Sequence, residues 1–286
     1  MKRFCIVVSL SLLLGFLLLI TGCSGSAKKD SKEIAIAYAN WAEGIAMTNL
    51  AKVALEEKGY VVSLKNADIA PIFASLSTGK ADVFMDAWMP VTHADYMKQY
   101  GDKLEVLGES FNNAKIGLVV PSYVTINSID ELKTNKDKFG GNIVGIDAGA
   151  GIMTSTDKAI EAYKLDMKLQ SSSGPAMTAL LKKSIDSKEW IVVTAWTPHW
   201  MFSRYDLKFL KDPKGIYGGA EIIKIIATKG FSEKDSVAAG FFANFNLTNE
   251  QIGSLMNYMA DDSMSETQAA ERWKDENKEL VEGWFK

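Results

Sequence analysis

The segments DAWMP at residues 86–90 and TAWTP at residues 194–198 decide how this 286-residue sequence is interpreted. Each closes a short apolar run of strand length, Ala81–Met85 in the first case and Ile191–Thr194 in the second. Proline fixes its own backbone and favours an extended conformation in the residue before it. Each motif should therefore hold its tryptophan at a stiff corner where a strand ends.

The elements around the two motifs recur in the same order in both halves of the chain. The first strands, the helix-opening prolines and the motif tryptophans are separated by 109, 104 and 108 residues. A later pair of apolar strands, near Ile116 and Ile222, lies 106 residues apart. Strands that alternate with amphipathic helices predict an α/β fold, here with two similar lobes and a ligand between them. The alternative, that generic α/β segments resemble one another, stays open.

The strands at Lys115–Val120 and Glu221–Ala227 are the expected crossings between the lobes. We therefore predict lobe I at residues 33–118 plus 227–286, and lobe II at residues 119–226.

Two helix starts near the end of the chain carry the Thr/Ser-x-x-Gln pattern of a capping box, at Thr248–Gln251 and Ser265–Gln268. Trp273 and Trp284 lie on the amphipathic helices of this region. We interpret both as packing residues of the core.

Composition excludes several classes of protein. With 47% apolar and 23% charged residues, the sequence is neither disordered nor collagen-like, nor a multi-span membrane protein. The net charge of −3 gives no basic patch, so no nucleic-acid partner is expected. Two cysteines and two histidines form no disulfide framework and no metal-ligand pattern. We expect neither a metal nor a cofactor.

The N-terminus has the pattern of a bacterial export signal. Lys2 and Arg3 precede an uncharged apolar run, and Ile20-Thr-Gly-Cys23 resembles a lipobox. Residues 1–22 are predicted to be a signal peptide, Cys23 the lipidated residue and residues 23–32 a tether. The mature protein is then extracytoplasmic and anchored to the cell membrane by lipid. A plain signal peptide or a single membrane-spanning anchor is the alternative.

Ligands of open α/β sheets bind beyond the carboxyl ends of strands. These positions hold Trp41, Trp88 and Trp196. Three indoles that converge from two lobes would form an electron-rich cage suited to a quaternary ammonium, which cannot donate a hydrogen bond. The alternative for each ring is packing in the core or between the lobes, but recurrence of the motif at matched positions favours the cage.

An anion is favoured beside the cage. The turn Asp147–Thr154 presents backbone N–H groups at the start of a helix, where the helix dipole attracts negative charge. It lacks the third glycine of a dinucleotide fingerprint. His93 can supply a further donor to a carboxylate, although a surface or helix-capping role is the alternative.

Four segments resemble those of glycine betaine-binding lipoproteins, the extracytoplasmic receptors of osmoprotectant ABC importers. They are YANW at 38–41, DAWMPVTH at 86–93, GAGIM at 149–153 and TAWTPHWMFSR at 194–204. The resemblance covers about residues 33–286. It implies a type II periplasmic-binding-protein-like (Venus-flytrap) fold that captures glycine betaine, and also proline betaine, without catalysis.

The resemblance also assigns residues and partners. The cation cage maps onto Trp41, Trp88 and Trp196, and the carboxylate site onto Gly151, Ile152 and His93. The implied partners are an ABC permease and its ATPase, and the receptor is expected to be a monomer.

Three alternatives to this function remain. The same receptor class could bind carnitine, choline or a sulfonium analogue. A surface hydrolase could use Asp147, Ser155 and His199, although no Gly-x-Ser-x-Gly elbow supports it. A structural lipoprotein would bind no small osmolyte.

Overall fold

The computed structural model describes residues 32–260 and 263–286, and the strands within them form one nine-stranded sheet. In chain order the strands are β1 (Glu33–Tyr38), β2 (Val61–Asn66), β3 (Val83–Met89), β4 (Leu104–Pro121), β5 (Asn142–Val144), β6 (Lys168–Gln170), β7 (Val193–Thr197), β8 (Leu207–Phe209) and β9 (Glu221–Thr228). The predicted signal peptide, the lipidation site Cys23 and the tether before Lys32 lie outside the described residues.

Helices cover the sheet. They are α1 (Ala42–Glu57), α2 (Ile69–Ser77), α3 (Ala94–Tyr100), α4 (Leu132–Asn135), α5 (Gly151–Tyr163), α6 (Gly174–Ser187), α7 (Met201–Arg204), α8 (Phe231–Lys234), α9 (Ser236–Asn244), α10 (Asn249–Met259), α11 (Glu266–Glu276) and α12 (Lys278–Gly283). None of these helices in the described part of the chain is both long and apolar enough to cross a bilayer.

Strand β4 is shared by two groups of strands. Its first part, Leu104–Ala114, pairs antiparallel with β9, which continues into β3, β1 and β2. Its second part, Lys115–Val119, pairs antiparallel with β7, which continues into β5 and β6. Parallel pairing of β1 with β2 and of β5 with β6 repeats the same unit on the two sides. This arrangement is the predicted α/β fold with two lobes.

The partner of β4 changes between Ala114 and Lys115, and the returning strand β9 begins at Glu221 opposite Ala114. The lobe limits 33–118 plus 227–286 and 119–226 remain predictions. The strand pairing changes a few residues before the predicted limit at both crossings. We therefore propose that the chain passes from one lobe to the other at 114/115 and at 220/221.

Both Ala-Trp-x-Pro motifs lie inside strands, whereas the sequence placed them just after strands. Ala87–Met89 continue the pairing of β3 with β9, and Ala195–Thr197 continue the pairing of β7 with β4. Each strand ends at the residue before proline, which has no N–H to continue the ladder. The tryptophans therefore belong to the sheet itself.

The spacing of apolar residues in the sequence predicts helices that begin at Ala46 and at about Thr154, but α1 and α5 begin earlier, at Ala42 and at Gly151. The Trp41 carbonyl accepts the Ile45 amide at 2.9 Å, so the first turn forms directly after β1. Both helices therefore begin closer to the strand that precedes them, β1 for α1 and β5 for α5.

The two predicted capping boxes are confirmed. The Thr248 hydroxyl accepts the Gln251 amide at 3.3 Å, and the Gln251 side chain accepts the Thr248 amide at 2.8 Å. Ser265 and Gln268 repeat this pair of bonds. Trp273 and Trp284 of the same region are buried, as predicted.

Candidate functional site

One pocket collects residues from both groups of strands. It has a volume of about 270 Å³, its open mouth included. It lies where β1, β3, β5 and β7 end, the edge at which the sequence predicts ligand contacts. Its lining residues are Trp41, Glu43, Trp88, Thr92, Ile116, Ile146, Ala150, Gly151, Ile152 and Trp196.

The three candidate cage tryptophans all line this pocket. Trp41 lies between β1 and α1, Trp88 lies in β3 and Trp196 lies in β7. Their side chains are 5%, 2% and 3% exposed. The structure therefore brings together rings that are distant in the chain, and their shared wall is apolar and aromatic.

Each of the three indole N–H groups donates a hydrogen bond to a carboxylate, and these carboxylates belong to the buried Glu43 and Asp86 and the half-buried Asp147. The pairs are Trp41 Nε1 to Asp147 Oδ1 at 2.9 Å, Trp88 Nε1 to Asp86 Oδ1 at 2.8 Å and Trp196 Nε1 to Glu43 Oε2 at 2.7 Å. A bond of this kind restricts the rotation of the ring and so holds the indole in one orientation beside the pocket. The second oxygen of each carboxylate is buried without a hydrogen-bond partner among the described residues.

Burial raises the pKa of all three carboxyl groups above their ordinary values. For Asp86 the nearby Glu43 carboxylate adds to this effect. The indole N–H groups act in the opposite direction because they stabilise the charged form. Glu43 lines the pocket, and Asp86 and Asp147 lie behind its tryptophans, so the indoles are backed by acidic groups whose negative charge is costly to bury.

His93 is buried beside the cage, although it does not line the pocket. Its ring stacks on Trp41 with centroids 5.8 Å apart and an interplanar angle of 18°. Its Nδ1 accepts the Trp88 amide at 2.9 Å, so the neutral ring carries its proton on Nε2. Burial lowers the pKa of His93 to about 3. The Nε2 atom has no partner among the described residues, so it offers an unused donor.

The first turn of α5 supplies two further donors. Gly151 and Ile152 are its first two residues, and both line the pocket. The opening amides of a helix have no partner within it, and here Ala150, the cap residue, contributes no side-chain bond. These N–H groups lie at the positive end of the helix dipole.

A close contact between main chains holds this turn against the other lobe. A Cβ atom on Gly151 would lie 2.1 Å from the Thr92 carbonyl oxygen, so only glycine fits there. Glu221, at the start of β9, fixes the segment on the other side by accepting the Val91 and Thr92 amides at 2.8 and 2.9 Å. The carboxylate also accepts the Thr92 hydroxyl.

The residues proposed for a hydrolase are committed to other partners. Asp147 accepts the Trp41 indole, and His199 Nδ1 accepts the Met201 amide at 3.1 Å. No hydrogen bond between described residues joins Asp147, Ser155 and His199. The geometry gives this alternative no support.

Several residues of the site were not identified from the sequence. Glu43 and Asp86 each lie two positions from a cage tryptophan, as Trp-x-Glu and Asp-x-Trp. For Asp86 this spacing is a usable signal, because Asp86 accepts the indole of Trp88 itself, whereas Glu43 accepts the indole of the distant Trp196. Ile116, Ile146 and Thr92 carry no such signal, because only the packing of the lobes places them at the pocket.

Residues 32–276 match the family model for the substrate binding domain of an ABC-type glycine betaine transport system. The glycine betaine/carnitine transport binding protein GbuC of Listeria monocytogenes is 43% identical over 163 residues, which are 56% of this chain and 54% of that protein. The chain thus spans about half the length of this curated relative.

Two solved structures resemble the whole described fold. Lactococcal OpuAC, in a closed-liganded conformation with glycine betaine, has a TM-score of 0.85 and 36% identity, and the match covers 90% of this chain and 100% of that one. The glycine betaine, L-proline-binding protein ProX of Borrelia burgdorferi has a TM-score of 0.86 and 37% identity, with 89% and 97% covered.

Proposed function

The chain belongs to the family of substrate-binding domains of ABC-type glycine betaine transport systems, and from this premise we propose that it captures glycine betaine in the pocket lined by Trp41, Trp88 and Trp196. The observation that carries the proposal is the convergence of these three indoles on one pocket. A quaternary ammonium over a desolvated aromatic face gains about 2 kcal/mol. Three rings can therefore replace the water that the trimethylammonium group loses.

The other end of the ligand is a carboxylate, and we propose that it binds the amides of Gly151 and Ile152 and the Nε2–H of His93. The helix start and the unused buried donor support this assignment. Because burial keeps His93 neutral, its Nε2–H donates without a positive charge. A zwitterion with a methylated ammonium and a carboxylate matches both halves of the site.

Proline betaine, which also carries a quaternary ammonium and a carboxylate, would fit both halves of the site. Carnitine, choline and a sulfonium analogue are the alternative ligands within the same receptor class. Choline has no carboxylate, so it would use the cage without the His93 donor. The relative GbuC is named for glycine betaine and carnitine, which supports a carboxylate-bearing ligand.

We further propose that the protein is a monomeric receptor without catalytic turnover that delivers its ligand to an ABC permease and its ATPase. The proposed anchor is lipid attached to Cys23 after removal of residues 1–22, which would hold the receptor outside the cytoplasmic membrane. The lipobox-like segment before Cys23 supports this part of the proposal.

Isothermal titration of the protein lacking its signal peptide and lipid tests the function directly. We expect one glycine betaine to bind per chain, with choline weaker. His93→Ala should weaken glycine betaine and leave choline nearly unchanged. Heat release with choline alone would make choline the ligand, and no response to any of these ligands would refute the proposal.

A further inference from the structure

Strands β1, β2, β3 and β9 form a first strand group on one side of β4, and strands β5, β6 and β7 form a second on the other. Two of the three indole–carboxylate bonds join these two groups, and they run in opposite directions. Trp41 follows β1 in the first group and donates to Asp147, which follows β5 in the second group. Trp196 lies in β7 of the second group and donates to Glu43, at the start of α1 in the first group. Each strand group therefore contributes one indole donor and one carboxylate acceptor to the two crossing bonds.

The third bond differs in its topology. Trp88 and Asp86 both lie in β3, so this bond forms whatever the position of the second strand group. The two crossing bonds need both groups to be in contact. If the lobes separate, Trp41 and Trp196 lose their acceptors and their rings lose the bond that fixes their planes.

We propose that Glu43 and Asp147 are reciprocal positioning residues that align the cage rings across the cleft only when the lobes are closed. This inference rests on the proposed function, because it concerns the same pocket. Closure then does two things in one step: it completes the cage and it orients Trp41 and Trp196 within it. The ligand contacts all three oriented rings only in the closed state. The crossing bonds stabilise that state and therefore slow the dissociation of the ligand.

Burial supports a specific task for these carboxylates. Glu43 is completely buried, and one oxygen of each carboxylate has no hydrogen-bond partner among the described residues. An acidic side chain that served only to pack would leave a costly group unsatisfied. The hydrogen bond to an indole on the opposite side is the interaction that both residues share.

A double-mutant cycle separates this positioning role from a merely structural one. Trp41→Phe keeps an aromatic ring but removes the N–H donor of the hydrogen bond. Asp147→Ala removes the carboxylate that accepts this hydrogen bond. Each variant should weaken glycine betaine binding about tenfold, mainly through faster dissociation. The double variant should be no weaker than the more affected single variant, because both changes remove the same bond. Independent, additive losses would overturn the proposal.

Conservative variants and a control sharpen the result. Asp147→Asn keeps an acceptor oxygen and should restore most of the affinity lost in Asp147→Ala, and Glu43→Gln should likewise exceed Glu43→Ala. Asp157→Asn removes an exposed carboxylate elsewhere on α5 and should bind like wild type. If Asp147→Ala fails to fold, Trp41→Phe alone still tests the bond, and wild-type dissociation from Trp41→Phe would refute it.

Closure itself can be measured with two fluorescent labels. The only cysteines are Cys5 and Cys23, so the protein without its signal peptide and lipid site accepts labels at Ser63→Cys and Lys183→Cys. These two positions are exposed, on β2 and α6 of the two predicted lobes. Saturating glycine betaine should shorten the label distance in wild type and do so incompletely in Asp147→Ala. Equal shortening would refute the coupling to closure. If wild type binds no betaine, the proposed function fails and the inference fails with it.

Discussion

The two Ala-Trp-x-Pro motifs, at residues 86–90 and 194–198, have the same sequence pattern and the same place in paired strands, yet their surroundings differ. Trp88 is held by Asp86 of its own strand, whereas Trp196 is held by Glu43 from the other lobe. The repeated motif thus supplies two ring positions. The anchors show that one ring is set within a lobe and the other depends on contact between lobes.

His93 and His199, the histidines that follow the two motifs, also differ in the rings that they contact. Both are buried, and both accept a backbone amide at Nδ1. His93 stacks on Trp41 beside the pocket, whereas His199 packs edge-on against Trp196 at 5.0 Å and touches Trp200. His93 accepts the amide of a residue before it and His199 that of a residue after it, so the two motifs place their histidines differently, and only His93 is the proposed ligand donor.

Removing a cage ring should have the largest effect. Trp88→Ala and Trp196→Ala should each weaken glycine betaine binding more than about thirtyfold, because each loses a desolvated cation–π contact of about 2 kcal/mol. Titration calorimetry measures the affinity, and circular dichroism confirms that the variants fold. Near-wild-type affinity in both would exclude the cage.

The contact between lobes at Gly151 should come next. Gly151→Ala would force the Thr92 main chain away, and we expect about five- to thirtyfold weaker binding from an overpacking cost of about 1–2 kcal/mol. Gly149→Ala is the matched control, since its Cβ would meet only side-chain atoms at 3.7 and 3.8 Å. Equal affinities for the two variants would contradict this account of closure.

The two histidines should then separate by function. His93→Ala should weaken glycine betaine binding about tenfold, which is the lower end of the about 1.5–3 kcal/mol for a hydrogen bond to a charged group, because the neutral His93 adds no charge of its own. His199→Ala should lower the thermal midpoint while the affinity changes much less. A reversed order of the two affinities would show that the carboxylate lies on the other side of the cage.

The smallest effect concerns the pH dependence of stability. Because burial raises the pKa of Glu43 above the ordinary 4.5, the folded protein retains a proton that the unfolded chain releases. Stability from this group therefore falls as the pH rises above 4.5. Glu43→Gln removes the titration, so its thermal midpoint should gain a few degrees on wild type between pH 5 and 8. If the thermal midpoints of wild type and Glu43→Gln changed equally with pH, this account of the Glu43 pKa would be contradicted.

The order of elements and the three tryptophans that line the pocket were predictable because they follow from local patterns. Apolar runs, turn residues and the spacing of the motifs predicted the strands, and Trp41, Trp88 and Trp196 were predicted from the strand ends. The capping boxes at Thr248 and Ser265 were predictable for the same reason, since each is complete within four residues.

The anchors of Trp41 and Trp196 were not predictable, because their partners are distant in sequence, whereas Asp86 lies two residues from Trp88. Trp196 and Glu43 are 153 residues apart, and only the packing of two lobes selects that pair. The early start of α1 at Ala42 was missed because the Trp41 carbonyl, and no cap side chain, begins the helix. The length of β4 depends on two different partner strands, which local patterns do not contain.

A crystal structure with glycine betaine bound tests the central claim most directly. We expect the ammonium nitrogen within about 6 Å of the ring centroids of Trp41, Trp88 and Trp196. The ligand's carboxylate should accept hydrogen bonds from the α5 amides and from His93 Nε2. A ligand bound elsewhere, or a trimethylammonium group that contacts fewer than three of these rings, would contradict the account.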